Sequence, residues 1–275
     1  MAEVVEASVP RGLRPYVESM VGYRISGAAP GTHIGMPSGR LTLVLSFDAP
    51  LDLVGADGQA GRFDVVLAGL HARPALIRHD GTQHGIQLDL TPAGASLLVG
   101  GPAGDVSGTS VDLGDLVGLG ARRLHERLSE TPGWQERFAL VADALFAGRE
   151  TRWEPRAEVQ HAWRLLCSSR GRRPVRDIAD EVGWSARHLG ESFRREYGHP
   201  PKTTARVLRF QESQRLIARR VPLAEVALLA GYSDQSHLNR DWLDLSGTSP
   251  TRWQRDDELA FVQDETSAPG ARSTP

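Results

Sequence analysis

The sequence predicts a two-part chain of 275 residues. An α+β front part covers 1–150, with a small antiparallel sheet or partial barrel plus helices. An all-α part covers 157–255, and a disordered tail covers 256–275. Three observations carry this reading. Short β-rich runs recur up to position 90, at a spacing of roughly ten residues that fits short antiparallel strands. Helical spacing replaces them after position 91. The C-terminal part then contains one small helical unit twice.

The front strands are read at Arg40–Phe47, Leu51–Val54, Phe63–Leu67, Ala75–Arg78 and His84–Leu90, with Gly, Pro and Asp turn signals between them. Thr91-Pro92 reads as a helix start, since Pro is tolerated in the first turn. Helical stretches follow at Ala93–Val99, Ala121–Ser129 and Gly133–Phe146, the last with apolar residues at Phe138, Val141 and Leu145. Asp89 sits in a strand-like run and reads as solvent-facing. Asp112 and Asp115 sit at a loop and helix start, where Asp caps well. The polar stretch 147–156 reads as a linker.

The C-terminal part reads as a run of helices at Ala157–Ser168, Val175–Val182, Ala186–Tyr197, Pro201–Arg220, Leu223–Ala230, Asp234–Leu245 and Pro250–Arg255. Within it lies the repeat. The first copy contains Ile178-Ala179, Gly183-Trp184-Ser185, His188-Leu189, Phe193, Gly198 and Pro201. The second contains Val226-Ala227, Gly231-Tyr232-Ser233, His237-Leu238, Trp242, Gly247 and Pro250. Ala179 to Ala227 and Gly183 to Gly231 are 48 apart, whereas His188 to His237 and Phe193 to Trp242 are 49 apart. One extra residue therefore falls between the Gly and the His-Leu pair of the second copy.

Each copy has the grammar of a helix-turn-helix. The first helix buries Ile178, Ala179 and Val182, or Val226, Ala227 and Leu229-Ala230. Gly183 and Gly231 turn the chain, because Gly accepts positive φ at little cost. Ser185 and Ser233 are placed to cap the second helix. Leu189 and Phe193, or Leu238 and Trp242, anchor that helix at a spacing of four. Its other face is left for a ligand, and in a helix-turn-helix this helix enters the DNA major groove.

Charge supports the same division. Residues 161–255 hold 17 Lys+Arg against 10 Asp+Glu, and the remainder holds 15 against 24. A basic part joined to an acidic part is the asymmetry expected where one region meets nucleic acid.

These motifs closely resemble the AraC/XylS family of bacterial transcription regulators over about 157–255. The strongest match is Gly231-Tyr232-Ser233-Asp234-Gln235-Ser236-His237-Leu238-Asn239-Arg240-Asp241-Trp242, followed by Gly247-Thr248-Ser249-Pro250-Thr251-Arg252-Trp253. The resemblance implies seven helices in two helix-turn-helix units, joined by the helix around Thr203–Ala218, with both recognition helices on one face of double-stranded DNA. The stretch Gly85–Pro102 together with Val111–Leu116 is similar to the sensor half of some members. That implies a small-molecule effector pocket in the β-rich part and a homodimer surface on helices 121–147. Contact with RNA polymerase follows if the protein is an activator.

By position, Arg187 and Glu191 in the first copy, and Gln235, Ser236, Asn239 and Arg240 in the second, are the candidate base readers. Arg suits guanine, Gln and Asn suit adenine, and Glu can accept from cytosine N4. Ser185, Arg194, Arg195, Lys202, Arg206 and His237 are the candidate phosphate contacts. Asp234 reads as favouring the helix N-terminus electrostatically. Two departures stand out. Leu243 and Asp244 lie where the family is commonly basic, and Gly190 lies where it often carries a base reader.

Other classes find less support. Cys167 is the only cysteine, which rules out an intrachain disulfide and an all-cysteine metal site. It also falls short of the reactive cluster of a DNA-alkylation-repair protein joined to such a domain. His33, His71, His79 and His84 lack His-x-His spacing and read as surface or packing residues, with no metal or cofactor expected. Gly100–Gly104 lacks a phosphate-loop Lys. No catalytic constellation is visible, which leaves a metabolite-processing front domain as the alternative to a sensor. Met1–Glu6 lacks the basic start of a signal peptide, and no apolar run is long enough for a membrane span, so a cytoplasmic protein is expected.

Overall fold

The computed structural model describes residues 1–148 and 153–256. The expected linker therefore lies partly outside the described residues, at 149–152, and the expected tail lies outside them from 257 onward.

The front part runs β1 (Ala2–Glu6), β2 (Val17–Ile25), β3 (Gly31–Gly35), β4 (Leu41–Ser46), β5 (Leu51–Val54), β6 (Ala60–Phe63), β7 (Val65–Ala68), β8 (Ala75–His79) and β9 (Gln83–Leu90). Then come α1 (Pro92–Val99), β10 (Ser110–Asp112), α2 (Leu113–Val117), α3 (Leu119–Glu130) and α4 (Trp134–Ala147). Among the described residues the strands form two antiparallel sheets, β1-β2-β9-β4-β7-β10 and β3-β8-β5-β6. Strand register gives the larger sheet two buried faces. Met20, Leu43 and Leu45, Leu67, Ile86 and Leu88 point toward the helices. Val21, Tyr23, Val44 and Val66 point toward Leu51, Leu53, Ala75 and Ile77 of the smaller sheet.

Strands β1, β2, β3, β6 and β10 were not expected. Strand β2 explains why: it is buried on both faces along most of its length, so its sequence does not alternate as a half-exposed strand does. The same layering corrects the reading of Asp89 as solvent-facing. Strand β9 is paired on both edges and covered on both faces, and Asp89 is 5% exposed. Its Oδ2 accepts from Ser19 Oγ at 2.8 Å, and burial raises its carboxyl pKa. Thr91 caps α1 and Asp112 caps α2, each accepting a backbone N–H.

The C-terminal part is all-α: α5 (Ala157–Ser168), α6 (Val175–Glu181), α7 (Ala186–Tyr197), α8 (Pro201–Ala218), α9 (Leu223–Ala230), α10 (Gln235–Ser246) and α11 (Pro250–Asp256). The apolar core does not break between the two parts. One cluster runs from Leu43, Ile86 and Leu88 through Leu128 and Val141 into Val159, Ile178, Leu189 and Phe193, ending on Ala205 and Leu208 of α8. A second cluster holds the last helices together around Phe210, Val226, Leu238 and Trp242, and among the described residues of the front part Met36 and Ala72 pack against it. Helix α8 thus lends one side to each core.

Close backbone approach fixes the seam. A methyl group on Gly104 would lie 2.6 Å from the Arg195 carbonyl oxygen and 2.8 Å from the Gly198 nitrogen. His199 places a ring nitrogen 3.1 Å from the Leu70 carbonyl oxygen, and Gly39 N donates to Gln211 Oε1 at 3.3 Å.

Candidate nucleic-acid interface

The two copies build the same object from different residues. Helix α6 leads into Gly183 at φ +75°, and α9 leads into Gly231 at φ +84°. Both values lie in the left-handed region that glycine enters without a Cβ penalty. Ser185 Oγ accepts from His188 N at 3.2 Å and so caps α7. In the second copy the capping residue is Asp234, whose Oδ1 accepts from His237 N at 2.7 Å. This corrects the assignment of that cap to Ser233, whose hydroxyl instead donates to Asp234 Oδ2 at 3.0 Å. The extra residue in the second copy is the cause. It moves Ser233 out of the cap, and the 49-residue offset places Asp234 on Ser185. Bonds from the helix N–H groups lower the Asp234 pKa, so Asp234 contributes more than the simple electrostatic effect expected.

Behind each recognition helix the anchors are fully buried: Leu189 and Phe193 in α7, Leu238 and Trp242 in α10. Trp242 Nε1 donates to Ser213 Oγ of α8 at 2.8 Å. A histidine packs edge-on against the aromatic after each turn glycine, His188 on Trp184 at 4.4 Å and His237 on Tyr232 at 5.1 Å. The first helices match their expected burial in part. Ile178, Ala179, Val226, Ala227 and Ala230 are buried. Val182 is half-buried, and Leu229 is 42% exposed.

The outward faces carry the expected polar residues. Gln235, Ser236, Asn239 and Arg240 are exposed on α10, and Arg187 and Glu191 on α7. The offset of 49 superposes Arg187 on Ser236, Gly190 on Asn239, Glu191 on Arg240 and Arg194 on Leu243. Ser185, Arg194, Arg195 and Lys202 are exposed, and His237 is half-buried with Nδ1 3.2 Å from Ser233 Oγ. Arg206 is engaged differently. Its Nε donates to Asp241 Oδ1 at 2.8 Å and its Nη2 donates to Asp244, so its guanidinium ties α8 to α10. Leu243 is 61% exposed.

Sequence reasoning missed the chain that leads into α5. Trp153 Nε1 donates to Glu196 Oε1 at 2.9 Å, and Arg156 lies 4.6 Å over the Trp184 ring. This segment forms one wall of a groove whose other wall is α7, at His188, Glu191, Ser192 and Arg195. The signal was a lone Trp in a polar run, which no periodicity marks.

In the front part, His84 is buried inside a polar cluster. Its Nδ1 lies 3.0 Å from Asp48 Oδ2, and its Nε2 lies 2.8 Å from Arg137 Nη1 and 3.1 Å from Arg24 Nη2. The His33 and His79 rings lie 5.6 Å apart, tilted by 38°. Among the described residues no group of three or more His, Cys, Asp or Glu side chains is arranged to hold a metal. Cys167 is half-buried, and burial pushes its thiol pKa up to about 12. No described helix is long and apolar enough to cross a membrane.

Comparison with known proteins defines the class. Residues 178–256 match a helix-turn-helix domain family. A 64-residue segment is 31% identical to the uncharacterized HTH-type transcriptional regulator YbfI of Bacillus subtilis, spanning 23% of each chain. The fold is also similar to ToxT of Vibrio cholerae. The strain O395 structure matches at TM-score 0.50 and 13% identity, over 84% of this chain and 95% of that one. ToxT bound to (E)-4-(8-methylnaphthalen-1-yl)but-3-enoic acid matches at TM-score 0.53 and 11% identity, over 84% and 97%. An unsaturated fatty acid-bound ToxT matches at TM-score 0.50 and 12% identity, over 84% and 93%.

Proposed function

We propose that the chain is a sequence-specific, DNA-binding transcription regulator that places α7 and α10 in successive major grooves of a promoter. One observation carries this reading: each of two helix-turn-helix units, sharing α8, buries one face of its second helix completely and leaves a polar face exposed. In this reading Gln235, Ser236, Asn239 and Arg240 read bases in one groove, with Arg187 and Glu191 in the other. Ser185, Arg194, Arg195, Lys202 and His237 meet phosphates and set register without carrying sequence information. Arg206, held by Asp241 and Asp244, keeps α10 aligned on α8 and is set aside as a phosphate ligand.

The front part acts as a sensor or dimerisation unit in a cytoplasmic protein without enzymatic activity. The acid-bound forms of ToxT make hydrophobic carboxylates the first effectors to try. The outer faces of α3 and α4 serve a homodimer, and RNA polymerase is the partner if the protein activates. A thermal shift of the full chain without turnover supports a sensor, and turnover supports an enzyme.

The direct test is titration of a promoter fragment with wild type and Arg240→Ala at fixed salt. A loss of about 1–3 kcal/mol, concentrated on particular base pairs, is expected. Unchanged binding sinks the assignment of Arg240.

A further inference from the structure

We infer that Arg187 reads a guanine end-on and that Glu191 acts as its positioning residue rather than as a base reader. This rests on the DNA-binding reading above and replaces one assignment within it, that of Glu191 as a base reader.

Arg187 Nε donates to Glu191 Oε1 at 3.0 Å across one turn of α7, with the two side chains 89% and 61% exposed. Helix stability does not account for the pair. Exposed ion pairs of this kind contribute little. The order is also the less favourable one, with the cation N-terminal to the anion. Arg187 is the second residue of α7, where the positive end of the helix dipole opposes a cation.

The geometry fits recognition instead. Guanidinium has five N–H donors in a planar fork. The Nε–H is committed to Glu191, and the two terminal amino groups have no partner among the described residues. Those two groups form the end-on pair that spans guanine O6 and N7. A flexible arginine must lose rotamer freedom to make that contact, and a carboxylate that holds the fork in advance reduces the loss.

Gly190 completes the arrangement. It lies on the same exposed face, and a methyl group placed on it would meet nothing within 4 Å. The face beside the Arg187–Glu191 pair is therefore bare where Asn239 stands in the second copy. A base edge can approach the fork without a competing side chain. The two copies thus carry their long cationic reader one turn apart, Arg187 at the start of α7 and Arg240 at the position that superposes on Glu191.

The test is selection from randomised duplex DNA with the full-length protein, comparing wild type with Arg187→Ala, Glu191→Ala and Glu191→Gln. Wild type is expected to enrich a guanine in the block read by α7. Arg187→Ala should flatten that column, with discrimination falling roughly 10- to 100-fold. Glu191→Ala should weaken the same column several-fold and leave the α10 block intact. Glu191→Gln, which keeps an acceptor oxygen, should restore most of it. A Glu191→Ala change confined to a separate cytosine column, or a guanine column left at full strength, overturns the inference while the DNA-binding reading stands. Wild type enriching no sequence overturns both.

Discussion

Gly104 and Gly198 meet backbone to backbone, the first in the front part and the second at the C-terminal end of α7. A methyl group on Gly104 would fall 2.6 Å from the Arg195 carbonyl oxygen, and one on Gly198 would fall 2.0 Å from Ser107 Cβ. The first recognition helix is therefore seated on the front part through atoms that cannot rotate away. Gly198 also adopts φ +80° as the C-cap of α7.

Gly104→Ala forces this seam apart. Overpacking against backbone costs about 1–3 kcal/mol, so the chemical-denaturation midpoint should fall accordingly. Gly108→Ala is no suitable control, because its φ of +74° is itself strained for alanine. Gly120→Ala is suitable, since its Cβ would meet nothing within 4 Å, and it should leave the midpoint the same or raise it slightly, because alanine is the better helix former.

The two caps should behave alike despite their different chemistry. Ser185→Ala and Asp234→Ala each remove the acceptor for a first-turn N–H, at a cost of about 0.5–2 kcal/mol. Ser233→Ala removes a bond to the cap and should cost less than either. Equilibrium unfolding of the three variants checks the order. A Ser233 loss exceeding that of Asp234 would contradict the cap assignment.

The second core rests on Trp242. Its removal empties a fully buried site beside Phe210 and Trp253, so Trp242→Ala should cost about 3–5 kcal/mol. Its neighbour Leu243, 61% exposed, should change stability by no more than about 0.5 kcal/mol on truncation. Thermal unfolding of the pair separates the buried face of α10 from the open one.

Stability should fall on mild acidification. Burial lowers the imidazole pKa values of His71, His84 and His199 from the usual 6.5. The unfolded chain therefore takes up protons that the folded chain refuses. Stability is fully present above about pH 6.5 and is lost progressively as pH falls from there toward the folded values. Asp89 and Glu196, whose carboxyl pKa values burial raises, act in the opposite sense, from the carboxylate range upward. The melting temperature measured from about pH 7.5 to 5.5 should decline. His199→Gln should flatten part of that slope, whereas a flat or rising wild-type profile would contradict it.

The C-terminal half was legible because its signals are local. The boundaries of α7 follow from the Ser185 cap, the C-cap Gly198 and a four-residue apolar spacing, and the end of α9 follows from the turn glycine Gly231, each signal lying within a short stretch of chain. Ser233 was misread as a cap because the slip between copies has no effect on composition. Asp234 takes the role only when the second copy is aligned by its helix rather than by its turn. The front part was less legible for a physical reason. Strand β2 is covered on both faces, and β1 and β10 are edge strands, so none shows clean alternation. His84 could not be singled out either. Its partners, Asp48, Arg24 and Arg137, are 36, 60 and 53 residues away and come together only through sheet register and the packing of α4.

The central claim is that two unequal recognition helices grip one face of DNA. Guanine-methylation interference on a bound promoter fragment tests it most directly, because methylation at N7 blocks the major groove edge. The account predicts two clusters of interfering guanines about one helical turn, roughly 10–10.5 base pairs, apart. Arg187→Ala should erase signal from one cluster and Arg240→Ala from the other. A single cluster, or two clusters lost together on either substitution, would contradict it.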